Sequence, residues 1–131
     1  MTKIVKTDQE WKSLLTEDEY YVTRQKGTEP PFSGKNFEII NSGIFKCKCC
    51  GNELFNSSTK YDSYCGWPSF FEQISPEAIK TETDRSHGMV RIEIMCAKCD
   101  AHLGHVFDDG PEPTGKRYCV NSLSINYEEF E

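Results

Sequence analysis

Two kinds of apolar spacing divide the chain. Near the N-terminus Trp11, Leu14 and Leu15 recur at helical intervals, and Thr7 followed by Glu10 has the spacing of a capping box, in which each side chain satisfies the other's free backbone donor. The spacing predicts a short helix over about residues 8–15. Thr16 and Glu19 repeat the device ahead of Tyr20, Tyr21 and Val22, so a second short helix follows, and Gly27 is expected to end it in a left-handed conformation. Residues 28–35, with Pro30 and Pro31, read as an irregular connection. A single domain is expected, with a helical arm over residues 1–36 laid on a β body over 37–131.

From residue 37 onward, short apolar groups are separated by Gly, Asn, Asp, Ser and Pro, the pattern of many short strands joined by turns. Over residues 89–96, Val90, Ile92 and Ile94 alternate with Arg91 and Glu93, the period of two that predicts a half-buried antiparallel strand. Ser75, Pro76 and Glu77 carry the cap and first-turn chemistry of one more short helix. Residues 109–111 and 113–115 are turn signals, and residues 117–127 resume alternation with Leu123, Ile125 and Tyr127 on one side. The fold class is mainly β.

Composition narrows the function. With 131 residues, 37% hydrophobic and 27% charged, the chain has the length of one domain and enough apolar material for a core, which excludes global disorder. Its longest apolar runs are about four residues, against the roughly 20 of a membrane helix. Residues 1–11 carry neither a signal-peptide core nor an Arg-rich transit pattern, so a cytoplasmic location is expected. Fifteen Lys plus Arg against 21 Asp plus Glu, net charge -6, with no basic cluster, argue against nucleic acid and anionic membrane as main partners. Seven cysteines without an export signal point to metal binding or catalysis rather than structural disulfides, and an odd number cannot all be paired.

Cys47 and Cys50, and again Cys96 and Cys99, are spaced as knuckles that each set two thiolates on one ion; together they supply the four sulfurs of a structural zinc site. A redox dithiol would need a β-α-β setting, which neither pair has. The intervening stretch exceeds the 15 to 20 residues of a short zinc ribbon, so the ion would tie distant parts of the chain together. Cys49 is left over as an accidental neighbour. Among the others, Cys119 lies between Arg117 and Asn121, which share its face if the segment is a strand, and a guanidinium beside a thiol favours the nucleophilic thiolate. His102 and His105 flank Leu103 and Gly104, a spacing that allows both imidazoles to converge on one site. Taken one at a time, a buried apolar cysteine and ordinary histidines are the plainer reading. Cys65 sits in a Gly/Pro-punctuated aromatic loop whose Trp67 reads equally as the wall of a pocket and as core.

These motifs resemble the B-type methionine sulfoxide reductases, which reduce the R epimer of methionine sulfoxide. The resemblance rests on CxxCG at 47–51, LFNSSTKYDS at 54–63 followed by CGWPSF at 65–70, CAKCDAHLGHVFDDGPEPTGKRYCVNS at 96–122 and the arm LTEDEYYVTRQKGTEPPFSG at 15–34. It implies two antiparallel sheets with short N-terminal helices, stapled at the back by one zinc ion. It implies that Cys119 attacks the sulfoxide sulfur and becomes a sulfenic acid, and that Cys65 resolves it as a disulfide, which thioredoxin reduces. In the same terms His102 and His105 protonate the sulfoxide oxygen, with His105 the closer. Asn121 hydrogen-bonds within the site, Arg117 favours the thiolate, Trp67 walls the substrate methyl group, and Asp109, or its neighbour Asp108, orients a histidine. The implied substrates are oxidised proteins and peptides carrying methionine-R-sulfoxide; apart from the resemblance, a monomer is the default expectation because the sequence shows no long exposed apolar stripe. Tyr64 departs from the glycine that many relatives carry there, which would stiffen the Cys65 loop, and Cys49 is extra. Two rivals stand beside this reading: a non-catalytic zinc-binding adaptor or chaperone on the same scaffold, and a peroxidase built on the same thiols.

Overall fold

Both N-terminal helices begin where their caps require. In the computed structural model, which describes residues 3–33 and 42–130, helix α1 spans Asp8–Leu14 and α2 spans Glu17–Arg24. Thr7 Oγ1 accepts from the Glu10 N–H at 3.2 Å while Glu10 Oε1 accepts from the Thr7 N–H at 3.0 Å; Thr16 and Glu19 repeat both bonds at the same distances. Helices this short do not stand alone in water, so their stability comes from what they bury. Trp11 and Val22 are buried, the Arg24 guanidinium lies 4.5 Å over the Trp11 ring, and its Nη2 donates to the Cys99 carbonyl at 2.8 Å. The left-handed residue that ends α2 is Lys26, φ 57°, not Gly27. Gly27 instead lies under the half-exposed Tyr21 ring, where a Cβ would come within 2.2 Å of Cε2 and push the ring aside. The expected arm–body boundary at residue 36 lies outside the described residues.

Nine strands follow: β1 Gly43–Cys47, β2 Glu53–Asn56, β3 Lys60–Tyr61, β4 Ser69–Phe70, β5 Ile79–Asp84, β6 Arg91–Cys96, β7 His102–Phe107, β8 Arg117–Val120 and β9 Ile125–Glu129. They form two antiparallel sheets, ordered β2-β1-β9 and β3-β4-β8-β7-β6-β5. The core lies between them and is largely aromatic. Phe55 of the small sheet stacks on Phe70 of the large one at 4.1 Å and 10°, Phe45 meets Phe70 edge-on at 4.9 Å, and Tyr118 meets Phe55 at 5.6 Å. Ring pairs of this kind contribute about 0.5–1.5 kcal/mol each beyond area burial. Because side chains alternate, the neighbours of Phe70 and Tyr118, which are Ser69 and Cys119, face away from this core.

Three expected elements come out differently. Residues 75–78 make one turn, closed by the Ala78 N–H on the Ser75 carbonyl at 3.2 Å, because β5 already starts at Ile79 and leaves no room for a helix. The alternation over 117–127 is broken: β8 ends at Val120, a 3-10 turn spans Ser122–Ser124, and β9 joins the other sheet. In β6 the alternation holds but the burial is not one-sided. Ile94 enters the core, Val90 and Ile92 near the strand's start remain 69% and 39% exposed, and Glu93 on the opposite face is only 3% exposed. The face that alternation marks as polar is therefore covered. No helix among the described residues is long and apolar enough to cross a membrane.

At Gly104 in β7 the neighbouring strand leaves no room for a side chain, since a Cβ there would sit 1.9 Å from the Cys119 carbonyl oxygen. Gly104→Ala is expected to force β7 and β8 apart and lower the unfolding free energy by about 1–3 kcal/mol; a urea titration checks this, and an unchanged midpoint would show that the strands absorb a methyl group.

Candidate active site and metal centre

Strand pairing assembles the site from residues distant in the chain. Ser69 pairs with Cys119, Cys119 with His105, and His105 with Glu93, so these four side chains share one row on the face of the large sheet turned away from the aromatic core. A regular strand would send residues three apart to opposite faces. The β6–β7 register, however, shifts between Ile94 and Met95, so that Ile94 pairs with Gly104 and Met95 with His102, leaving Leu103 as an extra residue. This bulge turns His102 to the same face as His105, with ring centroids 5.8 Å apart.

A cleft of about 250 Å³ opens over this row, lined by Thr28, Trp67, Arg91, His105, Arg117, Cys119 and Asn121. Trp67 is fixed by its Nε1–H, which donates to the Glu29 carbonyl at 2.9 Å. Asn121 uses both ends of its amide: Nδ2 donates to the Leu103 carbonyl at 3.1 Å and Oδ1 accepts from the Glu29 N–H at 3.1 Å. The Glu29 carboxylate in turn accepts from Ser122 Oγ at 2.8 Å and from the Leu123 N–H at 2.9 Å. Glu29 thus pins the connection after α2 to the cleft wall. It passes unnoticed in the sequence, where it is one acid in a Pro-rich linker.

Cys65 Sγ lies 3.3 Å from Cys119 Sγ and 3.4 Å from Ser69 Oγ. Its loop turns through two left-handed residues, Tyr64 at φ 61° and Gly66 at φ 96°. The first is a conformation glycine adopts freely and tyrosine does not, which accounts for the glycine expected at position 64; here the Tyr64 side chain stands in solvent. Burial opposes ionisation of Cys65, but hydrogen bonds from Ser63, Ser69, the Trp67 backbone and Cys119 together outweigh it and bring its pKa to about 7. Cys119 goes the other way. Burial and the adjacent Cys65 push it to about 12, and the attraction of Arg117, although in the expected direction, is outweighed.

The carboxylates that hold the histidines are not the expected ones. Asp109 grips Arg117 with both oxygens, accepting from Nε at 2.8 Å and Nη2 at 3.1 Å, and Asp108 pairs with Lys116 at 2.5 Å. Neither reaches an imidazole, because the chain after β7 turns back toward β8 while the rings point toward β6 and β5. His102 Nδ1 instead lies 2.7 Å from Glu93 Oε2, and His105 Nε2 lies 2.8 Å from Asp84 Oδ2. Asp84 also accepts from the Ser86 N–H at 2.9 Å and Arg91 Nη2 at 3.3 Å, and the hydrogen bond to His105 is the main reason its pKa falls well below the carboxylate range. Burial lowers the pKa of His102 more than Glu93 raises it, and His102 stands behind His105 rather than in the cleft wall. Glu93 left a trace in the sequence, a carboxylate inside a clean alternating strand; Asp84 left none, since only the β5–β6 register carries it to His105.

The two Cys knuckles meet as their spacing predicts. Cys47 ends β1 and Cys50 lies in the turn after it, Cys96 ends β6 and Cys99 lies in the turn after it, and all four sulfurs lie within 4.8 Å of one another. Cys47–Cys99 and Cys50–Cys96 are each 3.6 Å apart, close to the roughly 3.8 Å edge of a tetrahedron with metal–sulfur bonds near 2.3 Å. Gly51, at φ 79°, closes the first turn by donating to the Cys47 carbonyl at 2.9 Å. The four thiols therefore fit a metal ion; Cys49 is not one of the set, although its thiol touches Cys47 and Cys99.

The family model described as the SelR domain matches residues 15–129. Curated relatives named peptide methionine sulfoxide reductase MsrB include one from Hahella chejuensis, 58% identical over 97% of this chain and 91% of its own length, and one from Acinetobacter baylyi, 57% identical over 100% of this chain and 94% of its own. A relative of the same name from Acinetobacter baumannii is 55% identical, also over 100% of this chain and 94% of its own. Among solved structures, a Mis18 'Yippee-like' domain aligns with a TM-score of 0.56 at 17% identity, covering 70% of this chain and 99% of that one, a likeness of fold alone. With a SelR domain over nearly its whole length and MsrB relatives above half identity end to end, the chain belongs to the B-type methionine sulfoxide reductase family.

Proposed function

We infer that this protein is a peptide-methionine (R)-S-oxide reductase in which Cys119 is the nucleophile and Cys65 the resolving thiol. The observation that carries this reading is the pair of sulfurs 3.3 Å apart beneath a cleft bordered by Trp67 and a carboxylate-held imidazole. The substrate methyl group packs on Trp67 and places its sulfur against Cys119. Cys119 Sγ attacks, the sulfur–oxygen bond of the substrate breaks, and oxygen is transferred, so that thiol plus sulfoxide become sulfenic acid plus methionine. A proton must reach the oxygen as it is transferred. His105 supplies it, with Asp84 stabilising the cationic ring and Asn121 beside it. Cys65 then attacks the sulfenic sulfur, water leaves, and the disulfide is reduced by a thioredoxin-type dithiol.

The split between the two thiols gives this scheme a direction. Burial and the neighbouring Cys65 hold the pKa of Cys119 up while hydrogen bonds bring that of Cys65 down, so the proton Cys119 gives up as it attacks is the one His105 relays to the oxygen, and Cys65 is the readier of the two to ionise when resolution begins. Arg117, held by Asp109, supplies positive charge to whichever sulfur is ionised.

Zinc is the ion proposed for the four-cysteine cluster, since thiolates in tetrahedral array at this spacing suit it and no open position is left for catalysis. Its role is structural, joining the ends of β1 and β6 across the two sheets. Seven free cysteines suit a reducing compartment such as the cytoplasm. A single-domain monomer acting on exposed oxidised methionines in other proteins completes the proposal. The adaptor reading accounts for the metal cluster and leaves the row of Cys119, His105 and Glu93 without use.

The decisive measurement uses separately prepared R and S sulfoxide epimers of one peptide. Turnover of R alone, abolished in Cys119→Ser, is expected; turnover of neither by metal-loaded, reduced protein would favour the adaptor, and equal turnover of hydrogen peroxide would favour the peroxidase. Cys65→Ser is expected to release one equivalent of methionine yet lose thioredoxin-driven turnover. The same change removes the hydrogen bond and negative charge that raise Cys119, so alkylation of Cys119, followed by peptide mass mapping, should have its inflection at lower pH than in the unaltered protein. An inflection that stays or rises would show that burial alone sets it. Cys96→Ser is expected to lose the zinc equivalent and to unfold at markedly lower temperature; a full equivalent by metal analysis would refute the four-thiolate site.

A further inference from the structure

The two sulfurs of the thiol pair open onto different spaces. Cys119 lines the cleft of about 250 Å³ and Cys65 does not, whereas Cys65 lines a second cavity of about 550 Å³ and Cys119 does not. Tyr61 pairs with Ser69, continuing the row of the site by one strand, and borders this second cavity with Ser63, Asp109 and Arg117. Cys65 Sγ lies between, 3.4 Å from Ser69 Oγ and 3.3 Å from Cys119 Sγ. Along the row the order is therefore the second cavity, Cys65, Cys119 and His105.

A thiolate that cleaves a disulfide attacks one sulfur in line with the bond that breaks. With Cys65 and Cys119 joined, the line beyond Cys119 meets His105, held by Asp84 at 2.8 Å, and the line beyond Cys65 leads toward the second cavity. Leaving-group strength alone would favour attack on Cys119 and release of Cys65, the more acidic thiol. Position opposes it. Bonding Cys65 to another sulfur also removes the hydrogen bond and charge with which it raises the pKa of Cys119, and the attraction of Arg117 for a departing Cys119 thiolate remains.

The surface beside Cys65 carries two aromatic rings in conformations that bulky residues adopt at a cost. Tyr64 has φ 61° and Phe32 has φ 62°, and they stand 81% and 79% exposed. Tyr64 lies between two residues of the second cavity, Ser63 and Cys65, and its N–H donates to Asp62 Oδ1 at 2.9 Å. Phe32 lies against Gly66 on the other flank of Cys65, its N–H donating to the Gly66 carbonyl at 2.8 Å. Neither ring belongs to the core or to the substrate cleft. Strained backbone that holds two rings in water next to a reactive sulfur fits a surface that a protein partner covers.

We propose that a protein dithiol docks on the face of the Cys65 loop that carries Tyr64 and Phe32, and that its thiolate attacks Cys65 rather than Cys119. In that step the sulfur of the dithiol forms a bond to Cys65 Sγ, the Cys65–Cys119 bond breaks, and its electron pair leaves with Cys119, which takes up a proton. The second thiol of the partner then attacks the partner's own bonded sulfur and Cys65 leaves as the thiolate, so the dithiol is oxidised to a disulfide as the protein's disulfide is reduced to two thiols. Sulfoxide and reductant thus reach the thiol pair from opposite ends of the row. This assignment rests on the intramolecular disulfide proposed above.

The test begins by oxidising the protein with an R-sulfoxide peptide and counting thiols. Failure to lose a pair of thiols would overturn the disulfide route and this proposal with it, an outcome the count separates from those that follow. The oxidised protein is then mixed with a thioredoxin whose second reactive cysteine is serine, quenched early with acid, alkylated and mapped by peptide mass. A mixed disulfide on Cys65 with Cys119 free is expected; one on Cys119 would overturn the proposal. Tyr64→Gly removes one ring and relieves its backbone. In this variant the KM for intact thioredoxin is expected to rise about fivefold or more, while turnover with dithiothreitol and the KM for the sulfoxide peptide stay within about twofold. An unchanged KM for thioredoxin, an equal loss with dithiothreitol, or a raised KM for the sulfoxide peptide, which would assign the ring to substrate binding, would each overturn it.

Discussion

Everything at the site depends on how closely β7 and β8 approach. Gly104 lies against the Cys119 carbonyl with no room for a side chain, and that contact sets the register that pairs His105 with Cys119. One step along β7, the Leu103 bulge brings His102 round to the same face. A sheet slipped by one residue would turn Cys119 into the aromatic core and expose Tyr118, so the hydrophobic packing of Tyr118, Phe70 and Phe55 guards the chemistry on the other face. Register at the candidate site is thus enforced by apolar contacts.

On the face away from the core, polar groups are buried in pairs. Glu93 with His102 and Asp84 with His105 are carboxylate–imidazole contacts in a largely covered setting, where removing one partner leaves the other unsatisfied. Their gain is in placement more than in stability, because each ring is fixed through one nitrogen. Lys26, 3.4 Å from Glu93, and Glu29, which reaches Ser122 and Leu123, show that the N-terminal arm belongs to this arrangement. The arm lines the cleft at Thr28 and buttons Trp67 through a single backbone carbonyl. Similar economy of means separates the two thiols: hydrogen bonds from neighbouring hydroxyls lower the pKa of Cys65, while burial and the adjacent Cys65 raise that of Cys119.

The metal cluster and the aromatic cluster do the same mechanical work at different points, each joining the small sheet to the large one. The cysteine knuckles lie at the ends of β1 and β6, and an ion there closes a long loop of chain that would otherwise oppose folding entropically. None of the four sulfurs lines the cleft, which separates stability from chemistry. The likeness to a Mis18 'Yippee-like' domain at 17% identity fits that separation, since a fold is shared far more widely than any site built on it.

Where chemistry is local, the sequence alone determined it. The two capping boxes and the cysteine knuckles rest on spacings of three residues and appear in the fold as spaced, and the alternation of β6 marks a strand there without deciding which of its faces is covered. The family motifs likewise carried Cys119, Cys65, His105, Asn121 and Trp67 as a set. What only the tertiary structure decided are contacts between strands far apart in sequence: Asp84 on His105, Glu93 on His102, Glu29 on Ser122, and Tyr61 in the row of Cys119. Asp109 illustrates the difference, because the family resemblance implied a histidine as its partner and the turn after β7 gave it to Arg117 instead. Breaks in regularity were hidden as well, the bulge at Leu103 and the interruption between β8 and β9, since a periodic pattern continues through a residue that pairing leaves out. Side-chain spacing fixes which way a residue can point along one element; only the packing of elements fixes what it meets there.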